Sequence, residues 1–132
     1  MKKREIKLIY NSTYTKDREA YATLSALDGY VVNELDVKHN DMTPTQLAKL
    51  ANDLHKGVKD LVDTNSQNYD DKLLKMADED LLETLHQDMS LLKTPIIRKE
   101  DSSAIFLTSP YNIYPVDLEI NGIKRENNDT NE

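Results

Sequence analysis

A chain of 132 residues is long enough for one domain that buries about two thirds of the surface its unfolded form would expose, so a self-sufficient core is expected. The 24 carboxylates outnumber the 17 Lys and Arg and leave a net charge of −7, which repels phosphate backbones and argues against direct nucleic-acid binding. There is no cysteine, which excludes disulfides, thiolate metal sites and any thiol redox chemistry supplied by the chain itself.

After the basic start Met1-Lys2-Lys3-Arg4, the apolar run from Ile6 to Tyr10 is interrupted by Lys7. It is too short for a signal core or a membrane span, so the expected setting is soluble and cytoplasmic, with no membrane partner. The same stretch, Lys2 to Tyr10, mixes β-branched and aromatic residues and predicts a first strand. Ala20, Leu24 and Leu27, with Tyr21 beside them, predict a helix over Asp17 to Leu27 that stops at Asp28-Gly29. Val31 to Val37 predicts a second strand, giving β-α-β.

Thr43-Pro44-Thr45-Gln46 has the form of a capping box with proline at the first helical position, and the helix it starts carries Leu47, Leu50, Ala51 and Leu54 on one face. Gly57 is placed to end that helix in a left-handed cap. Val58 to Val62 is read as one more turn, Asp63 to Asn68 as a polar turn, and Tyr69 to Ala77 as a short irregular helix. Asp78 is expected to cap a further helix with an apolar stripe of Leu81, Leu82, Leu85, Met89 and Leu92, ended by Pro95. Pro95-Ile96-Ile97 and Ala104 to Leu107 predict a closing β-hairpin. Lys124 to Glu132 has no apolar residue and is expected to be disordered.

The β-α-β, helices, β-β order is that of an α/β, thioredoxin-like domain: a four-stranded mixed sheet with a helical insertion. Three segments resemble the arsenate reductase and Spx family of glutaredoxin-like proteins. Leu91-Leu92-Lys93-Thr94-Pro95-Ile96-Ile97 looks like that family's helix end and strand, in which the proline has a cis peptide bond facing the active site. Leu107-Thr108-Ser109-Pro110 looks like the close of the next strand, and Tyr10-Asn11 like the approach to the active-site loop. The resemblance implies one domain over residues 1–123, with the insertion at about 43–92 and a polar tail at 124–132.

In the reductases the loop carries a nucleophilic cysteine followed four residues later by arginine, and the matching stretch here is Tyr14-Thr15-Lys16-Asp17-Arg18. The resemblance therefore sets Tyr14 at the nucleophile and Asp17 at the resolving cysteine of C-x-x-C relatives. The oxyanion-binding arginines fall on Asp63, Thr94 and Ser109, and only Arg18 is retained. A phenol with a pKa of about 10 is mostly protonated at neutral pH, and its oxygen does not exchange with arsenic or disulfide sulfur as a thiolate does. Thr, Ser and Asp likewise lack the guanidinium forks that suit an oxyanion. No catalytic residue is assigned; Tyr14, Asp17, Arg18, Thr94, Pro95 and Ser109 read as a degenerate site.

Tyr14 either fills the space of that lost site or marks a repurposed pocket at a helix N-terminus, and the former is the simpler reading. Arg18 either meets an anion or is an exposed first-turn residue paired with Asp17 or Glu19; the exposed pairing is preferred. His39, His55 and His86 show no metal-ligand spacing and are expected on the surface, so no metal is expected. The carboxylates Asp70-Asp71 and Asp78 to Asp80 lack a calcium-loop pattern, and the latter suit a helix first turn. Tyr111, Ile113 and Tyr114 form an aromatic cluster more suited to packing than to contact. No serine sits in a nucleophile elbow, and three glycines are too few for phosphate-cradling loops.

Two functions follow from the resemblance. The preferred one is a non-catalytic protein-binding or regulatory module without a cofactor, for which Spx, which binds RNA polymerase rather than DNA, is a precedent. Gly57 falls near a glycine important in that contact. The alternative is a reductase that takes its thiol from glutathione or a partner protein, or a glutathione-binding transferase, using Asn11, Arg18 and the Thr94-Pro95 framework.

Overall fold

The computed structural model describes residues 4–99 and 103–107; Ser109, Pro110, the Tyr111 to Tyr114 cluster and the 124–132 tail lie outside them. Four strands form one mixed sheet in the order β2-β1-β3-β4, as expected of a thioredoxin-like α/β fold. Strand β1 (Arg4–Tyr10) pairs in parallel with β2 (Tyr30–Asp36), from Arg4 opposite Tyr30 to Tyr10 opposite Asp36. On its other edge β1 runs antiparallel to β3 (Ile96–Arg98), with Leu8 opposite Ile97, and β3 pairs antiparallel with β4 (Ala104–Phe106).

Strand β1 is paired on both edges, and its last three residues, Leu8, Ile9 and Tyr10, are buried toward both faces. Successive side chains of a strand alternate between faces. Ile6, Leu8 and Tyr10 pack with Ile97 and with Leu24 of helix α1 (Thr15–Ser25). Ile9 and Ile96 face the other way, into a larger core built from the helical stretch. That core holds Leu47 and Leu50 of α2 (Pro44–Asp53) and Leu81 and Leu85 of α3 (Asp78–Gln87), all fully enclosed. Burying each such side chain contributes roughly 1.5–3 kcal/mol before entropy is counted.

The capping box at α2 forms as predicted: Thr43 Oγ1 accepts from the Gln46 N–H at 3.1 Å, and Gln46 Oε1 accepts from the Thr43 N–H at 2.9 Å. Its other end differs from the expectation. The left-handed residue is His55 (φ 59°), and Gly57 is extended at φ −81°. His55 N–H donates to Asn52 O at 3.0 Å and Lys56 N–H to Ala51 O at 3.0 Å, a Schellman closure completed at the residue before the glycine. Gly57 instead opens a separate 3-10 turn, Val58–Leu61.

Smaller boundaries also move. Helix α1 starts at Thr15 and ends at Ser25, two residues before Leu27, and Gly29 takes the positive φ (86°) of the turn that follows. The helix over Tyr69 to Ala77 contracts to a 3-10 turn at Asp71–Lys75, started by Asp70 accepting from the Lys72 N–H at 2.9 Å. Asp78 is the first residue of α3 and not its cap, which is Ala77; the Asp78 carboxylate points to Lys59 at 3.7 Å. Met89 and Leu92 lie beyond α3, in and after a 3-10 turn at Met89–Leu91. The Thr94-Pro95 peptide is cis, as the resemblance implies.

Two cross-links bring the insertion to the sheet. Asp63 N–H donates to Leu91 O at 2.8 Å, and Lys93 N–H donates to Leu61 O at 2.7 Å. They lay residues 61–63 beside 91–93 and so carry Asp63 to the end of the sheet where β1 runs into α1. No helix among the described residues is long and apolar enough to cross a membrane.

Candidate functional site

The loop between β1 and α1 is built from its own polar groups. Asn11 Oδ1 accepts from the Thr13 N–H at 2.9 Å, and the Tyr14 N–H closes the turn on Asn11 O at 3.1 Å. Ser12 N–H donates to Asp36 Oδ1 at 3.0 Å, which ties the loop to the end of β2. Tyr14 is the N-cap of α1, extended at φ −96° and with no side-chain cap.

Arg18 does not pair with Asp17. Its Nη1 donates to the carbonyls of Ser12 at 2.7 Å and Thr13 at 3.2 Å, and its Nη2 donates to Thr15 Oγ1 at 3.1 Å. The guanidinium thus clasps the outer face of the loop, because carbonyls left over by the tight turn lie one helical turn from it. Asp17 turns inward and is wholly enclosed. Its Oδ2 accepts from the Asn11 N–H at 2.9 Å and from the Thr94 hydroxyl at 2.5 Å, while its Oδ1 accepts from Lys16 Nζ at 2.8 Å. Lys16 Nζ also donates to Thr94 O at 2.6 Å. Asp17, Lys16 and Thr94 form a polar lock that joins α1 to the residue before the cis proline.

Above this lock opens a cleft of about 440 Å³. One wall is Asn11, Thr13, Tyr14 and Lys16; the other is Asp63, the run Asn65 to Asn68, and Ser90. Burial raises the Tyr14 phenol above its ordinary pKa, and the carboxylates of Asp63, Asp17 and Asp88 raise it further. A hydroxyl in that field is a poorer nucleophile than free tyrosine, because less of it ionises. Asp88 stands behind the second wall, accepting from Asn68 Nδ2 at 3.0 Å and from the Ser90 hydroxyl at 2.6 Å.

The structure brings together Tyr14, Asn11 and Asp63 around the cleft and places Asp17, Thr94 and Pro95, all buried, beneath or beside it. Arg18 is exposed on the far side of the loop, and Ser109 lies outside the described residues. His86 is half-buried rather than superficial, with Nδ1 at 2.9 Å from Met42 O. Among the described residues no three His, Cys, Asp or Glu gather into a metal site. Lys16 and the Asn65 to Asn68 wall were missed by the sequence reading; a lysine beside an acid in a first turn carries no sign of its bond 78 residues away, and the wall read as an ordinary polar turn.

No family model matches the sequence, and no curated protein is similar to it at the sequence level. Solved structures are similar in fold. The arsenate reductase from Vibrio cholerae superposes with a TM-score of 0.75 at 16% identity, covering 89% of this chain and 99% of that one. A possible arsenate reductase from Streptococcus mutans does so with a TM-score of 0.67 at 19% identity, covering 87% and 98%. The chain therefore has the thioredoxin-like fold of the arsenate reductases, over nearly their whole length. It has that fold without a cysteine anywhere.

Proposed function

We propose that the chain is a non-catalytic member of the arsenate reductase and Spx family, acting as a protein-binding or regulatory module. The observation that carries this reading is Tyr14. It stands at the position the resemblance assigns to the nucleophile, and its hydroxyl is held in the protonated form by burial and three carboxylates. Arsenate or disulfide reduction needs a thiolate that bonds to the substrate and is then released by a second thiol. Asp63, at a position the resemblance gives to an oxyanion-binding arginine, adds a charge that repels the substrate.

The borrowed-thiol alternative draws its support from the Thr94-Pro95 framework, but the carbonyl and the hydroxyl of Thr94 are already engaged. Lys16 holds the Thr94 carbonyl and Asp17 accepts the Thr94 hydroxyl. This favours a module whose partner is a protein; RNA polymerase is one candidate, through the likeness to Spx. The test is a coupled assay of arsenate reduction with glutathione, glutaredoxin and thioredoxin systems supplied. We expect no turnover above the protein-free control together with a specific partner on affinity purification from the native cell; turnover would overturn the proposal.

A further inference from the structure

We infer that the cleft beside Tyr14 receives a basic side chain, arginine above all, from the partner protein, an inference that rests on the protein-binding reading above. The cleft lining carries the Asp63 carboxylate and the Tyr14 ring, and its lysine, Lys16, is already bonded to Asp17 and the Thr94 carbonyl. Asp63 Oδ1 accepts from the Asn65 N–H at 2.9 Å, while its Oδ2 has no partner among the described residues. The Tyr14 hydroxyl is likewise without a hydrogen bond among them. Asp88 adds a second carboxylate behind the wall, fixed by Asn68 and Ser90.

The two nearby cations are both committed elsewhere. Lys16 Nζ is held by the Asp17 carboxylate and the Thr94 carbonyl, and the Arg18 guanidinium faces the loop carbonyls. The Tyr14 ring already holds the Lys16 ammonium 5.7 Å from its centroid, within the reach of a cation–π contact. A guanidinium is planar, so it can lie against a tyrosine ring while its fork meets a carboxylate, which a lysine ammonium does less well. The 440 Å³ cleft is in the usual range of about 300–1,000 Å³ for ligand sites, ample for one such side chain. The chain's net charge of −7 would steer a basic surface toward it.

The test titrates the full chain by heteronuclear NMR with the blocked tripeptide acetyl-Gly-Arg-Gly-amide, with its uncharged citrulline isostere, and with arsenate. We expect the arginine peptide alone to shift the amides of Thr13, Tyr14, Asn65 and Ser66, with a dissociation constant on the order of 1 mM. Asp63→Asn, which keeps the oxygen that accepts from Asn65, should weaken binding about tenfold or more. Equal binding of the citrulline peptide, indifference to Asp63→Asn, arsenate shifts at the same amides, or silence with the arginine peptide would each overturn the inference. Silence here without arsenate turnover leaves the non-catalytic reading standing, whereas turnover removes that reading itself.

Discussion

Asp17 and Thr94, 77 positions apart, meet through a hydrogen bond of 2.5 Å from the Thr94 hydroxyl to Asp17 Oδ2. The same carboxylate accepts the Asn11 N–H and the Lys16 ammonium. Removing it strands two buried donors, so Asp17→Ala should cost about 3 kcal/mol of stability. Thr94→Val removes one donor and leaves the carboxylate its other partners, so its cost should be nearer 1 kcal/mol. Urea denaturation of the two single variants and the double variant checks this; fully additive losses would refute the coupling.

A cysteine placed at Tyr14 would sit in the same field. The carboxylates that hold the phenol protonated would do the same to a thiol, so Tyr14→Cys should alkylate at neutral pH no faster than free cysteine, whose pKa is about 8.5. Adding Asp63→Arg should speed it, because the carboxylate that acts most strongly on position 14 becomes a cation. Iodoacetamide kinetics across pH give both values.

The two glycines described should respond in opposite ways to alanine. Gly29 has φ +86°, where a side chain is strained, so Gly29→Ala should cost about 1 kcal/mol. Gly57 has an ordinary φ, and an added Cβ would meet only Asp60 Oδ2 at 3.7 Å. Gly57→Ala should therefore be neutral or stabilise by up to about 1 kcal/mol, read from the denaturation midpoint.

Stability should fall at both pH extremes for identifiable reasons. Burial works to raise the Asp36 carboxyl, but hydrogen bonds from Ser12 and Lys38 outweigh it and hold the carboxyl below its usual value. Its contribution is complete above the ordinary carboxyl range near about 4 and disappears as pH falls through the lowered folded value. Tyr10 and Tyr14 shift the other way, Tyr10 by burial first and then by its hydrogen bond to Glu34. The folded chain keeps those protons longer, so their contribution is complete below about pH 10 and declines above it. Asp36→Asn should flatten the acid limb and Tyr10→Phe the alkaline one in denaturation midpoints measured against pH.

Much of this was readable in the amino acids. The strands around Ile6 to Tyr10, Val31 to Leu35 and Ile96-Ile97 follow from β-branched runs, and the Thr43 cap from four consecutive residues, because those signals are local. Tyr14 and Asp63 were placed at the site by resemblance, and both line the cleft. What local patterns could not carry was the direction of a polar side chain. Arg18 and Asp17 are neighbours that turn to opposite sides of one loop, and the choice depends on Thr94 and on the carbonyls of Ser12 and Thr13. The helix end at His55 was missed because two backbone bonds to Asn52 and Ala51 prevailed over the preference for glycine.

The sheet divides the interior into two apolar clusters with no buried side chain in common, one around Leu24 and Ile97, the other around Leu50 and Leu85. Each half can therefore vary almost on its own account. A lineage could recast the helical side for a new partner while the α1 side, with its loop and lock, stayed as it was, and losses from substitutions on opposite faces would simply add.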